Sequence, residues 1–219
     1  MIHVSISNHN PEQLHKEIYA KTPRKLAFSQ NAGYEPWRAE LKDKLAELLG
    51  MSRFPDTAAV PEVIVISLEE HPDFKEIRFE FESEPGYFAP CHLLIPKKGK
   101  APYPAVVCLQ GHNSGMHLSL ERFKYEEDSH YIPHMLEWFE MQDLAGLIAP
   151  RKLLVVAGRE DDIFPIKDTE SCFGGIAGIY AKAGYEENCR LVIGEGEHRF
   201  YPDEAWPVFT EMSGWGVRG

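Results

Sequence analysis

Apolar residues recur along this chain at two spacings, and the change from one to the other marks its organisation. Up to about residue 50 the spacing is helical. Asn10, Pro11 and Gln13 supply an N-cap, a helix-first proline and a capping-box partner for a first helix. Leu41, Leu45, Leu48 and Leu49 mark one face of a second helix, expected over 36–49, with Gly50 at its stop. From residue 63 the text turns to strands. Val63 to Ile66 is a short apolar run, while Ile77, Phe79 and Phe81 alternate with Arg78, Glu80 and Glu82, the period of a half-buried strand. Ala89–Ile95 and Pro104–Leu109 are two more expected strands. The second is continuously apolar, as in a strand covered on both faces.

Helical spacing returns over Tyr131–Ile148, with Ile132, Leu136, Phe139 and Leu144 as inward positions. The strand Lys152–Ala157 follows, then a helix whose Phe173, Ile176, Ala177 and Tyr180 share a face. A strand over Cys189–Ile193 and a last helix after Asp203 complete the pattern. Strand and helix alternating with short turns predict a mostly parallel α/β sheet with helices on both faces. Residues 1–58 are expected to form an N-terminal helical arm and 59–219 the α/β domain.

Composition narrows the picture. A length of 219 residues suits one domain with an added arm. At 43% hydrophobic and 26% charged, the chain is of globular type and not disordered. No window holds the roughly 18 consecutive apolar residues of a membrane span. The start lacks the basic and apolar regions of a secretory signal, so a cytoplasmic location is expected. A net charge of −11 disfavours nucleic acid and anionic membranes as partners. Lys97, Lys98 and Lys100 are read as a solvated turn. The four cysteines contain no CxxC and are no disulfide framework. Cys108 and Cys189 lie in apolar runs and are expected to be buried thiols.

In open parallel sheets, chemistry gathers at the carboxyl ends of strands. Three such ends carry distinctive residues: Gln110 to Gly115, Gly158 to Pro165, and Gly194 to Tyr201. A carboxylate in the second could accept the Nδ1 hydrogen of an imidazole in the third, fixing its tautomer. Backbone N–H groups of the first could face a developing oxyanion.

At these residues the chain resembles the α/β-hydrolase superfamily, in its dienelactone-hydrolase-like and acetyl-xylan-esterase-like branch. LIAPRKLLVVAGREDDIFPI (147–166) resembles that branch's strand and acid loop, and GEGEHRFY (194–201) its histidine loop. The likeness runs from about Val63 to Phe209. It implies Asp161 as catalytic acid, His198 as base and the His112 backbone N–H as an oxyanion-hole donor. Asp162 falls where the family motif varies. The implied activity is hydrolysis of a small-molecule carboxylic ester, with acetylated sugars as the substrate class and no cofactor.

One part is missing. The family's nucleophile sits on a G-x-S-x-G elbow. None of the eleven serines, and none of the cysteines, has glycine two residues before and two after. Only about 42 residues (110–151) separate the strand ending at Leu109 from the one starting near Lys152. A βαβ unit takes about 30 residues, whereas the family places three further strands there. The expectation is thus a truncated α/β-hydrolase sheet with N-terminal antiparallel strands, joined near Asp128-Ser129-His130. It could be closed to five strands by direct pairing across the gap. Ser114 is the candidate substitute nucleophile, with Ser119 and Ser129 behind it. Ser114 also reads as a turn residue beside Gly115. A shortened sheet exposes apolar edge, which predicts homo-oligomers. The alternative function is a catalytically inactive remnant acting as a binding or oligomerising module. His112, His117, His130 and His134 lie near the join. His130 and His134 have the i, i+4 spacing of helical zinc ligands, but Pro133 between them and the lack of a third ligand spacing leave the expectation at no metal.

Overall fold

A computed structural model describes residues 11–54, 60–99, 103, 105–107 and 132–214. In chain order its helices and strands are α1 (Pro11–Lys21), α2 (Tyr34–Leu48), β1 (Val63–Glu70), β2 (Phe74–Glu84), β3 (Tyr87–Pro96), α3 (Met141–Gly146), β4 (Leu153–Gly158), α4 (Ile166–Ala183), β5 (Cys189–Gly194) and α5 (Pro202–Ser213). Short 3₁₀ turns occupy 51–53, 135–137 and 186–188. The fold is a truncated α/β arrangement: an antiparallel sheet near the N-terminus, a parallel pair of strands, flanking helices and an N-terminal helical arm. The chain divides into two compact units, one drawn from residues 1–52 and 132–219, the other from 53–131.

In the second unit the strands lie in the order β1-β2-β3, all antiparallel. Alternation along β2 places Ile77, Phe79 and Phe81 on one face and Glu76, Arg78 and Glu80 on the other. The single buried residue of β2 is Glu76, the reverse of the apolar-in pattern and a point taken up below. The expected strand over Pro104–Leu109 is not seen where it can be judged. Residues 105–107 carry no strand, and Val106 and Val107 are exposed; the rest of that segment lies outside the described residues. An apolar run becomes a buried strand only between ladder partners, and none flanks it among the described residues. Among the described residues β1–β3 form one ladder and β4–β5 another, with no strand pairing that closes them to five.

In the first unit β4 and β5 pair in parallel from Leu153↔Cys189 to Gly158↔Gly194. The core lies where the arm and α4 meet: Leu41, Phe139 and Tyr180 are fully buried, with Trp37, Ile176 and Ile179 beside them. Each large aromatic also satisfies its polar atom, as burial requires. Tyr34 Oη donates to the Gly146 or Ala149 carbonyl at 3.1 Å, Trp37 Nε1 to the Leu26 carbonyl at 2.8 Å, and Tyr180 Oη to that of Arg151 at 2.9 Å. Burial pushes the Tyr180 phenol up to about 12.

The helix expected over 131–148 is broken. His134 adopts a left-handed backbone (φ 63°) and Glu140 an extended one, leaving a 3₁₀ turn and the short α3. Leu136, expected inside, is exposed; Phe139 is buried as expected. Asp143 secures the helix that restarts after the break. Its fully buried carboxylate accepts the Phe28 N–H at 2.9 Å and the Glu140 N–H at 2.9 Å, capping α3 and tying the arm to it. Burial raises its pKa against the pull of those two donors. Asp143→Ala strands both N–H groups, each worth about 1–3 kcal/mol when unpaired. The expected loss is about 2–5 kcal/mol, read as a lower denaturant midpoint at unchanged slope.

Candidate active site

The first unit brings two loops side by side because their strands end together. Past Gly158 and Gly194 the chains stay hydrogen-bonded: Arg159 N–H donates to the Gly194 carbonyl at 2.9 Å and Glu160 N–H to that of Gly196 at 2.8 Å. Outside this seam Arg159 Nε meets Glu195 Oε1 at 2.7 Å, an exposed pair of little energetic weight. Gly158 and Gly194 permit the closeness. A methyl group on Gly158 would overlap the Glu197 carbonyl oxygen and lie 2.6 Å from that of Gly196. One on Gly194 would overlap the ring of buried Tyr201.

Asp161 and His198 meet across the seam. Asp161 Oδ2 lies 2.7 Å from His198 Nδ1. The other oxygen, Oδ1, accepts the backbone N–H of Ile163 at 2.9 Å and of Phe164 at 2.8 Å. Burial would raise this carboxyl, but the Phe164 N–H, the His198 ring and the Ile163 N–H outweigh it and hold its pKa below the usual range. An ionised carboxylate only accepts, so the 2.7 Å contact requires the hydrogen on Nδ1 and, in the neutral ring, leaves a lone pair on Nε2. The acid side chain is 5% exposed and the imidazole 52%. The pair is therefore a buried carboxylate held against an accessible imidazole.

Three residues not singled out in the sequence complete the arrangement. The Phe164 ring is tilted over the His198 ring at 5.4 Å between centroids. Tyr201 Oη donates to the Glu197 carbonyl at 2.6 Å, pinning the loop that carries His198. Gly194 gives the Tyr201 ring its seat. The signal was present in GEGEHRFY and DDIFP, where each aromatic lies within three residues of the acid or base, but packing partners have no spacing rule.

Asp162 is exposed, and the carboxylate that meets His198 is that of Asp161. His112, Ser114, Ser119 and Ser129 lie outside the described residues, as do His117 and His130 of the weighed zinc set. His134 is exposed and pairs with Glu137 Oε1 at 2.8 Å through Nδ1, at the start of the 3₁₀ turn and not on an α-helix. Among the described residues no serine or cysteine side chain hydrogen-bonds the His198 ring. Cys189 is buried as expected, its thiol pushed up to about 11 by burial; Cys108 lies outside the described residues. No helix among the described residues is long and apolar enough to cross a membrane.

No curated protein matches the sequence. A solved structure does resemble the fold: that of a “putative acetyl xylan esterase” from Bacteroides fragilis NCTC 9343, 12% identical, over 94% of this chain and 86% of that chain, with a TM-score of 0.61. Identity that low speaks for fold alone. The profile of the Abhydrolase family matches residues 11–124, just over half of the sequence. That span takes in α1 and α2 of the helical arm. It stops short of Asp161 and His198. On the profile and the architecture together, the chain belongs to the Abhydrolase family of the α/β-hydrolase superfamily.

Proposed function

We propose that this chain is a carboxylic-ester hydrolase whose acid and base are Asp161 and His198. The observation that supports the reading most is the 2.7 Å contact between a buried carboxylate and an exposed imidazole. His198 Nε2 takes the proton of the attacking group as it bonds to the ester carbonyl, and returns it to the leaving alkoxide. Asp161 stabilises the imidazolium formed between those steps. Ser114 is the proposed nucleophile, and the His112 N–H the proposed donor to the oxyanion. The substrate class is small acetate esters, acetylated sugars among them, a choice suggested by the name of the Bacteroides fragilis protein. The free thiols Cys91, Cys172 and Cys189 accord with a reducing, cytoplasmic setting. Exposed Val63, Val65, Ile66 and Leu68 on the edge strand β1 support a homo-oligomer.

A second reading is favoured by one fact: no serine or cysteine sits in a G-x-S-x-G or G-x-C-x-G frame. On it the chain is an inactive remnant that binds or oligomerises. Turnover of p-nitrophenyl acetate separates the readings. The hydrolase reading expects turnover above buffer that His198→Ala and Ser114→Ala each remove. Loss with His198→Ala alone rejects Ser114 as nucleophile. Turnover unchanged in both variants rejects the site, and no turnover in the parent chain favours the remnant.

A further inference from the structure

The second unit buries a carboxylate instead of an apolar side chain at the middle of its sheet. Glu76 is 8% exposed, on the face of β2 away from Ile77 and Phe79. Its cross-strand partner in β1 is another glutamate, Glu69. Like charges directly opposite each other destabilise a strand pair, so this register calls for positive charge between or beside the two. Part of it is visible among the partners of the Glu76 carboxylate. Glu76 Oε1 accepts His92 Nδ1 at 2.8 Å and Arg78 Nε at 3.1 Å. Oε2 is turned the other way, toward His71 Nε2 at 3.0 Å.

His71 is a held ligand and not a mobile one. Its N–H donates to the Phe74 carbonyl at 2.9 Å and its carbonyl accepts Lys97 Nζ at 2.6 Å. Its ring stacks on Phe74 with centroids 4.3 Å apart. One donor atom each from Glu69, His71 and Glu76 lies within 4.8 Å of the others. Tetrahedral zinc with bonds of about 2.0–2.2 Å spaces neighbouring donor atoms about 3.3 Å apart. The His71–Glu76 separation is close to that value already, and exposed Glu69 offers a carboxylate oxygen within 4.8 Å of both. The hydrogen bonds to Oε1 are those that orient a ligating carboxylate from outside.

We propose that Glu69, His71 and Glu76 form a zinc site across the β1–β2 hairpin, with water as the fourth ligand. The ion replaces the proton shared between His71 Nε2 and Glu76 Oε2, which passes to solvent. It also lies between the two opposed glutamates. The neighbouring charges are Arg78, already paired to Glu76, together with Glu70 and Lys97, which pair with each other at 2.8 Å. The site lies wholly within residues 69–76 and is independent of the proposed esterase chemistry.

The test is calorimetric titration of ZnCl2 into the untagged, chelator-stripped full-length chain, with the melting temperature followed in parallel. The expected result is a site of micromolar affinity or better whose filling raises the melting temperature. Glu69→Gln and His71→Ala should each weaken it at least about tenfold, the scale on which even outer contacts act. His134→Ala, remote from the hairpin in sequence and in the other unit, should leave it unchanged. Glu69→Gln keeps the shape of an exposed side chain, so its effect is not one of misfolding. Zinc bound as tightly by Glu69→Gln and His71→Ala as by the parent, or no binding by the parent below about 100 μM, overturns the proposal.

Discussion

Asp161→Asn is expected to invert the tautomer of His198. In the parent chain Oδ2 faces Nδ1 at 2.7 Å, and only the Nδ1–H form can satisfy that contact. In the variant, the amide oxygen keeps the two N–H donors of Ile163 and Phe164, which an amide nitrogen could not accept. The nitrogen must then face the imidazole and donate to Nδ1, which moves the ring hydrogen to Nε2. A base whose outward nitrogen carries the hydrogen cannot take another proton. Turnover of p-nitrophenyl acetate should fall by about 10⁴-fold, the scale of this change in a triad. Nitrogen-15 NMR of the His198 ring checks the tautomer directly, and does so even in a chain with no turnover. Retention of the Nδ1–H form in Asp161→Asn would refute the orienting role.

The same carboxylate makes an expected contribution to acid stability. Its folded pKa is depressed, so the folded state binds its proton less readily than the unfolded chain. That contribution is complete above the unfolded value of about 3.9 and is lost as pH falls through the depressed folded value. Asp143 acts with the opposite sign. Its folded pKa is raised, so protonation on the way down favours the folded state.

These two aspartates also show what could be read from the sequence and what could not. Asp161 follows a run of apolar residues by a fixed interval, and His198 follows the next such run similarly. Strand ends are set by periodicity, so their loops could be paired before any coordinates. Asp143 lies in a segment whose apolar spacing is helical throughout. Its carboxylate accepts the N–H of Phe28, 115 residues away in sequence, and caps the short helix after the break, and no local pattern encodes a contact at such range. Glu76 failed to stand out for a related reason. In the alternating strand it counts as a polar, outward position, and only the convergence of His71, His92 and Arg78 from other register positions reveals that it is buried. The strand expected at 104–109 depended on neighbours and not on its own composition. Charge and composition bounded the class of molecule without placing any residue.

The seam beneath the pair carries the second large effect. A helix residue and two strand-end residues, all glycine, should respond to alanine in different ways. Gly174, on α4, has nothing within 4 Å of where a methyl would stand. Gly174→Ala should be neutral or stabilising by up to about 1 kcal/mol, the helix-propensity gain. Gly194→Ala drives a methyl into the Tyr201 ring, which is 2% exposed. Overpacking of this kind costs about 1–3 kcal/mol, occasionally more, and displaces the hydroxyl that holds the Glu197 carbonyl. In a chain of this size that corresponds to about 2–12 °C in melting temperature. Gly158→Ala meets backbone carbonyls of residues 196 and 197, which cannot rotate aside as a side chain can. Relief requires the whole histidine loop to withdraw from the acid loop, stretching the Asp161–His198 contact. Gly158→Ala should therefore lose the Nδ1–H signature of His198 along with stability, whereas Gly174→Ala keeps both. A Gly158→Ala chain with the parent's melting temperature and ring tautomer would mean that the two strand ends are not held together by this close backbone approach.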